Sequence, residues 1–341
     1  MTDKPSQIII EEIHSKALEG NALGDPSKRR VPIYLPAGYD ADKETYPSLY
    51  LLSSFGARGF KMLRDDLWED NIQERLDRLM SSGKMRPMIV VMPDASTRYG
   101  GSQYVNSSAT GNYEDHILEL VDEIDRNYAT LADAEHRAIA GHSSGGFAAT
   151  RFGMLHPEVF GLVADHSGDK YFEMTFRADF PKLFRYYDKV GEKGIKKLLA
   201  NPALELRNGA PFTALGLLAT ASCFSPNPSA RFGFDLPFDL HSGELVPDVW
   251  ERWLSFDPVE AIEEHSEALS SLRLLYIDCG LYDEYNLLYG ARLFTQKLAE
   301  KNIPFQYEEF EGGHRNIRYR YDISFTAISE AIPKTRKDDH A

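Results

Sequence analysis

The chain has 341 residues, 43% hydrophobic and 26% charged, the balance of a soluble globular enzyme with length for one large or two ordinary domains. Its formal net charge of −14 argues against nucleic acid and anionic membrane surfaces as partners, since both would be repelled. Cys223 and Cys279 give neither a disulfide framework nor metal-ligand spacing, no basic stretch followed by an apolar run opens the sequence, and the apolar runs are far too short to span a bilayer, so the expected compartment is cytoplasmic.

Residues 7–13 and 30–35 read as a pair of strands separated by a polar Gly/Asn/Asp/Pro stretch. The runs 48–52 and 88–92 are short and continuously apolar, as buried parallel strands are, and 66–80 between them reads as a helix. From 112 to 128, Ile117, Leu120, Val121, Ile124 and Tyr128 recur at helical spacing, one face turned to a sheet. A strand ending near Ala140, a helix after Ser143 and a strand at 160–164 follow. The next clear strand is 272–277, then a helix at 288–300 and a strand at 305–310. Strands alternating with helices predict an α/β fold built on a mostly parallel central sheet flanked by helices.

About a hundred residues between the strands near Val163 and Leu274 break that rhythm, far more than a crossover needs. They carry Phe172, Phe176, Phe180, Phe184, Tyr186, Tyr187, Trp250 and Trp253, and read as an ordered insertion over the sheet. The expected organisation is a first core segment at 1–168, a cap or lid insertion at 169–270, a second core segment at 271–333, and a charged tail at 334–341 that frays.

The stretch Gly141-His142-Ser143-Ser144-Gly145 sits between an apolar run and a helix-like run of small residues. Strand, tight Gly-x-Ser-x-Gly turn and helix together make a nucleophile elbow, in which bulky flanking side chains would clash. A serine needs a base to take its proton and a third group to orient that base. In this order of elements an acid and then a histidine follow the serine. Of His241, His265, His314 and His340, His314 follows the last strand through the flexible Glu311-Gly312-Gly313 turn, which places it over the sheet's edge. Asp278, Asp283 and Glu284 are the candidate acids. Asp283, beyond Cys279-Gly280-Leu281-Tyr282, lies far enough into the loop to reach a histidine and is preferred. The oxyanion hole needs two backbone N–H donors, expected from Ser144 and from Phe55 in the loop after the third strand.

These stretches resemble the esterase D and enterochelin-esterase-like branch of the α/β-hydrolases, which includes feruloyl esterases, S-formylglutathione hydrolases and mycolyltransferases. The resemblance is carried by Tyr50-Leu51-Leu52, Val90-Val91-Met92-Pro93-Asp94, Gly111-Asn112-Tyr113-Glu114-Asp115, Ile139-Ala140 with the elbow, Cys279-Gly280-Leu281-Tyr282-Asp283 and Glu311-Gly312-Gly313-His314. It implies an α/β-hydrolase fold with Ser143 as nucleophile, Asp283 as acid, His314 as base, and the amides of Phe55 and Ser144 as oxyanion hole. The sequence departs from the branch where His-Gly usually follows the third strand: Ser53-Ser54 stands there instead.

The expected activity is serine carboxylic-ester hydrolysis through an acyl-enzyme, on aryl or short-to-medium acyl esters, with no metal or organic cofactor. The expected partner is a small-molecule ester, and an oligomer is left open. Trp250 and Trp253, three apart, share a helix face and are candidates to line the substrate pocket; the alternative is that both pin the insertion in place. A siderophore esterase or acyltransferase is the rival within the same chemistry, with Arg58 and Arg98 as cations for an anionic substrate. A non-catalytic α/β-hydrolase-like binding protein is the rival of another class.

Overall fold

The structure, a computed structural model, describes residues 4–333; the tail expected at 334–341 lies outside the described residues. The chain opens with β1 (Gln7–His14) and β2 (Lys28–Leu35), paired antiparallel from Gln7 opposite Leu35 to His14 opposite Lys28. After β3 (Ser48–Leu52) comes α1 (Ile72–Ser81), which starts later than the sequence suggests. Asn71 sets that start: its side chain accepts the Glu74 N–H while the Glu74 carboxylate accepts the Asn71 N–H, a reciprocal cap that fixes the first turn.

Next are β4 (Ile89–Val91), a two-residue hairpin of β5 (Asn106–Ser107) with β6 (Gly111–Asn112), and α2 (Tyr113–Asn127). Then β7 (Arg137–His142) leads into α3 (Ser144–Leu155) and β8 (Leu162–His166). The helices α4 (Phe172–Thr175), α5 (Phe180–Ala200), α6 (Pro202–Arg207), α7 (Phe212–Phe224), α8 (Pro247–Leu254), α9 (Pro258–Ala261) and α10 (Ser266–Ser271) separate β8 from β9 (Leu274–Gly280). The chain finishes with α11 (Leu287–Glu300), β10 (Gln306–Phe310) and α12 (Tyr321–Ala331).

Eight strands form one sheet in the order β1-β2-β4-β3-β7-β8-β9-β10, parallel from β4 onward and antiparallel at β1–β2 and β2–β4. The period of two divides each central strand between two cores. Tyr50, Leu52 and Ile139 face α2, α3 and α11, whereas Leu49, Leu51, Ala138 and Ala140 face α1 and α12. On α2, Ile117, Leu120 and Ile124 are almost wholly buried, each contributing about 1.5–3 kcal/mol by leaving water. This is the α/β-hydrolase architecture.

The aromatics between β8 and β9 build most of a third core, in which Phe172, Phe180, Phe224, Trp250 and Trp253 meet ring against ring and Phe147 of α3 packs on Phe172 and Phe224. Val259, Ile262 and Leu269, from α9, α10 and their connection, instead join the main core beneath α3. Phe256 is the last residue of this stretch packed against the third core.

Candidate active site

Ser143 stands at the C-terminal end of β7 with φ +60° and ψ −126°, a strained turn between strand and helix. Its N–H donates to the His166 carbonyl on β8 at 2.9 Å, and its carbonyl accepts the Phe147 N–H at 2.9 Å. The small residues around it are sterically required. A Cβ on Gly141 would lie 2.4 Å from the Gly145 carbonyl, and one on Gly145 would lie 2.7 Å from the Leu52 carbonyl oxygen.

The loop after β10 brings His314 over this turn. Its Nε2 lies 3.0 Å from Ser143 Oγ and its Nδ1 lies 2.8 Å from Asp283 Oδ2. The Asp283 side chain is shielded from water, and its Oδ1 accepts the Tyr285 N–H at 2.9 Å. Glu284 fixes the base from behind by accepting the His314 backbone N–H at 2.6 Å. Ser143, His314 and Asp283 are thus brought into one chain of hydrogen bonds, with the carboxylate holding Nδ1 so that Nε2 faces the hydroxyl.

Asp278, another of the candidate acids, belongs to β9 rather than to the loop. It is fully buried, accepting from His166 Nδ1 at 2.8 Å, Arg320 Nε at 2.9 Å and the Tyr276 hydroxyl at 3.1 Å. This pairing lets the strand run on past Ile277, where the sequence suggests an end.

Phe55 and Ser144 both lie close to Ser143. Phe55 lines the cleft beside Ser143, and its N–H has no partner among the described residues. Ser144 is the first residue of α3, so its N–H has no intrahelical acceptor. The replacement of His-Gly by Ser53-Ser54 introduces no strain, because the left-handed conformation in this loop falls on Gly56 (φ +75°). The Ser53 carbonyl accepts the Tyr104 hydroxyl at 2.8 Å, and the Ser54 hydroxyl donates to the His142 carbonyl at 3.0 Å and lies 2.9 Å from His142 Nδ1. The ring of His142, not singled out in the sequence, lies 4.5 Å from that of His314, tilted by 39°. Burial, then the neighbouring His314 and His166, push its pKa well below the usual histidine range, which favours a neutral ring beside His314.

A cleft of about 570 Å³ opens above Ser143. Phe55, Phe176, Phe212 and Leu217 supply apolar wall, and Lys61, Arg64, Arg315 and Arg318 bring cations. Trp250 and Trp253 do not line it, which corrects the sequence expectation. Trp253 is wholly buried with its Nε1–H on Ser225 Oγ at 3.0 Å, and Trp250 donates to Glu173 at 2.9 Å. Both indoles point into the insertion's own core because that is where their N–H groups find acceptors. Arg58 and Arg98 are likewise absent from the cleft wall. Asp169, just past the end of β8, lines the cleft and was not anticipated; its signal is its place beyond the carboxyl end of a parallel strand.

The chain spans 26% and 54% of the length of two curated proteins it matches. One is an endo-1,4-beta-xylanase/feruloyl esterase of Xylanibacter ruminicola, 31% identical over 55% of this chain. The other is an esterase of Mycobacterium tuberculosis, 27% identical over 86% of this chain. Among solved structures, a ferulic acid esterase superposes with a TM-score of 0.61 at 22% identity, covering 96% of this chain and 100% of that one. An S-formylglutathione hydrolase from Agrobacterium tumefaciens superposes with a TM-score of 0.60 at 15% identity, covering 98% of each. At such identities these two likenesses speak for the fold. The Esterase family model matches residues 21–329, nearly the whole described chain, and the protein belongs to that family.

Proposed function

We propose that the chain is a serine carboxylic-ester hydrolase that works through an acyl-enzyme on Ser143. The observation that carries this reading is the run of contacts from Asp283 through His314 to Ser143, at 2.8 and 3.0 Å, on a strained elbow opening into the cleft. Ser143 Oγ attacks the ester carbonyl as its proton passes to His314 Nε2, and Asp283 stabilises the imidazolium. The amides of Ser144 and Phe55 receive the developing oxyanion. His314 then returns the proton to the leaving alcohol, and water repeats the cycle on the acyl group.

The aromatic wall contributed by Phe55, Phe176 and Phe212 favours an aryl or short-to-medium acyl group, and the helices between β8 and β9 act as the cap that supplies much of it. The motifs support a reading of the chain as a member of the esterase D and enterochelin-esterase-like branch. Among the described residues no helix is long and apolar enough to cross a membrane, and the unpaired Cys223 and Cys279 suit a cytoplasmic setting.

An organophosphonate probe tests the reading. It should label the protein at Ser143, and Ser143→Ala should lose both the label and p-nitrophenyl acetate turnover. Equal labelling of the two proteins overturns the assignment.

A further inference from the structure

We propose that Asp169 is a specificity-determining residue whose carboxylate accepts a hydrogen bond from an uncharged hydroxyl group on the substrate. The inference deepens the ester-hydrolase reading of the cleft and rests on it.

Asp169 lines the same cleft as Ser143 and His314, yet its carboxylate makes no hydrogen bond or ion pair among the described residues. Every other acid close to the nucleophile is engaged: Asp283 by His314, Glu284 by the His314 N–H, and Asp165 by Lys170, Thr150 and the Gly168 N–H. Asp169 is only partly buried: protein crowds its carboxylate on the cleft wall, yet the group stays open to the cleft, where a donor on the substrate can reach it. Burial accordingly pushes the Asp169 carboxyl up to about 6, with Asp283 and Asp165 adding to the rise and His314 and Lys170 opposing it.

The backbone shows that this placement is held. The adjacent Lys170 does not relieve Asp169, because its buried ammonium turns to Asp165 and the Gly168 carbonyl. Ser167 and Tyr171, two residues to either side, both adopt left-handed φ angles of +47° and +55°. Strain of this kind persists only where the surroundings over-determine it. Here Ser167 N–H donates to the Asp278 carbonyl at 2.8 Å, and the Tyr171 and Phe172 N–H groups donate to Asp257 at 3.0 and 2.6 Å. The loop is tied down on both sides of one side chain that has no tie of its own, the arrangement of a preorganised acceptor.

The rest of the cleft selects the donor. An anionic group would meet the Asp169 carboxylate and that of Asp179, which also lines the cleft. A cationic group would meet Lys61 and Arg315, which have no carboxylate partner among the described residues, whereas Arg64 and Arg318 are paired with Asp66 and Glu69 of the same cleft. A neutral hydroxyl satisfies both conditions, and Phe55, Phe176 and Phe212 provide flat apolar contact for a ring that carries it. A hydrogen bond to a charged acceptor is worth about tenfold or more in affinity.

The experiment reads binding rather than turnover, in protein carrying Ser143→Ala so that no ester is consumed. Calorimetry with methyl cinnamate and its 3- and 4-hydroxy derivatives should give at least one hydroxylated ester bound about tenfold more tightly than the parent. Adding Asp169→Leu, nearly the same size but with no acceptor, should bring that ratio to about one, and Asp169→Asn should fall between. Asp169→Leu should melt within ~2 °C of its parent, since the partly exposed carboxylate makes no hydrogen bond or ion pair among the described residues for the variant to lose. Equal affinities for all three esters, no measurable binding of any, a preference that survives Asp169→Leu, or a melting temperature lowered beyond that range each overturn the proposal. A protein that turns over no ester but shows the Asp169-dependent preference keeps this inference and loses the hydrolase reading.

Discussion

Replacing Asp283 by Asn separates orientation of the base from every other role of that residue. Oδ1 of Asp283 accepts the Tyr285 N–H at 2.9 Å, and Oδ2 accepts His314 Nδ1 at 2.8 Å. An amide nitrogen cannot accept, so in the variant the remaining oxygen stays with Tyr285 and the NH2 faces His314. The imidazole then presents a bare Nδ1 to that NH2 and carries its proton on Nε2, 3.0 Å from Ser143 Oγ. A protonated Nε2 cannot take the serine's proton. The equivalent change in a serine protease lowers kcat about 10⁴-fold. For this chain the expected loss is at least ~10² in kcat, about 2.7 kcal/mol of transition-state stabilisation, with the melting temperature within ~2 °C of the parent. Asp278→Asn should behave oppositely. Its carboxylate is buried between His166, Tyr276 and Arg320, and breaking such a pair costs about 3–5 kcal/mol. That predicts a fall of at least ~5 °C in melting temperature and a smaller effect on kcat. Turnover of p-nitrophenyl acetate and a thermal melt, run on both variants, decide the matter. An Asp278→Asn protein that is folded but inactive, beside an active Asp283→Asn, would refute the reasoning.

Trp253→Ala should lower stability by about 3–5 kcal/mol and leave acyl-chain preference unchanged, because the indole is buried in the insertion's core and not on the cleft. Phe212→Ala, on the cleft wall, should change that preference with a smaller loss of stability; the reverse pattern in a p-nitrophenyl ester series with melts would misplace the wall. Acid stability should report Asp278. Burial would raise its pKa, but His166 and then Arg320 prevail and hold it below the usual 3.8. A depressed folded-state pKa contributes stability that is present above the unfolded value and lost as pH falls through the folded one. The melting temperature should therefore drop below about pH 4, and Asp278→Asn should make that drop shallower; identical slopes for the two proteins would contradict the assignment.

What the sequence made legible was local or ordered. Gly141, Ser143 and Gly145 declare a strand-turn-helix because their spacing is itself the geometry, and β3, β4, β7 and β8 declare themselves as continuous apolar runs. Asp283 and His314 could be picked out by order along the chain, although 171 residues separate His314 from Ser143. Direction was harder to read. Trp250 and Trp253 do share a helix face, but whether that face meets a cleft or a core depends on Ser225 and Glu173, distant acceptors that no periodicity encodes. β9 looked short because Asp278 interrupts its apolar run, and only its partners on β8 and near α12 make the charge tolerable there. α1 begins at a capping box rather than at the acidic run before it, and α12 shows its buried face only through Tyr321, Phe325 and Ile328, in a helix of 11 residues.

The long interval between β8 and β9 also bears on how the chain reaches its native state. His166 and Asp278, which join these two strands, are 112 residues apart. Closing so wide a gap from a flexible coil costs entropy before any pairing rewards it, and such distant contacts slow folding. The aromatic core built mostly from the insertion offers a way round this. Phe172, Phe180, Phe224 and Trp253 can collapse on one another without the sheet, shortening the gap and carrying the β9 segment back toward β8. On a ribosome the Ser143 elbow would emerge well before the strands that deliver Asp283 and His314. The nascent chain would then remain chemically silent until its last quarter had docked.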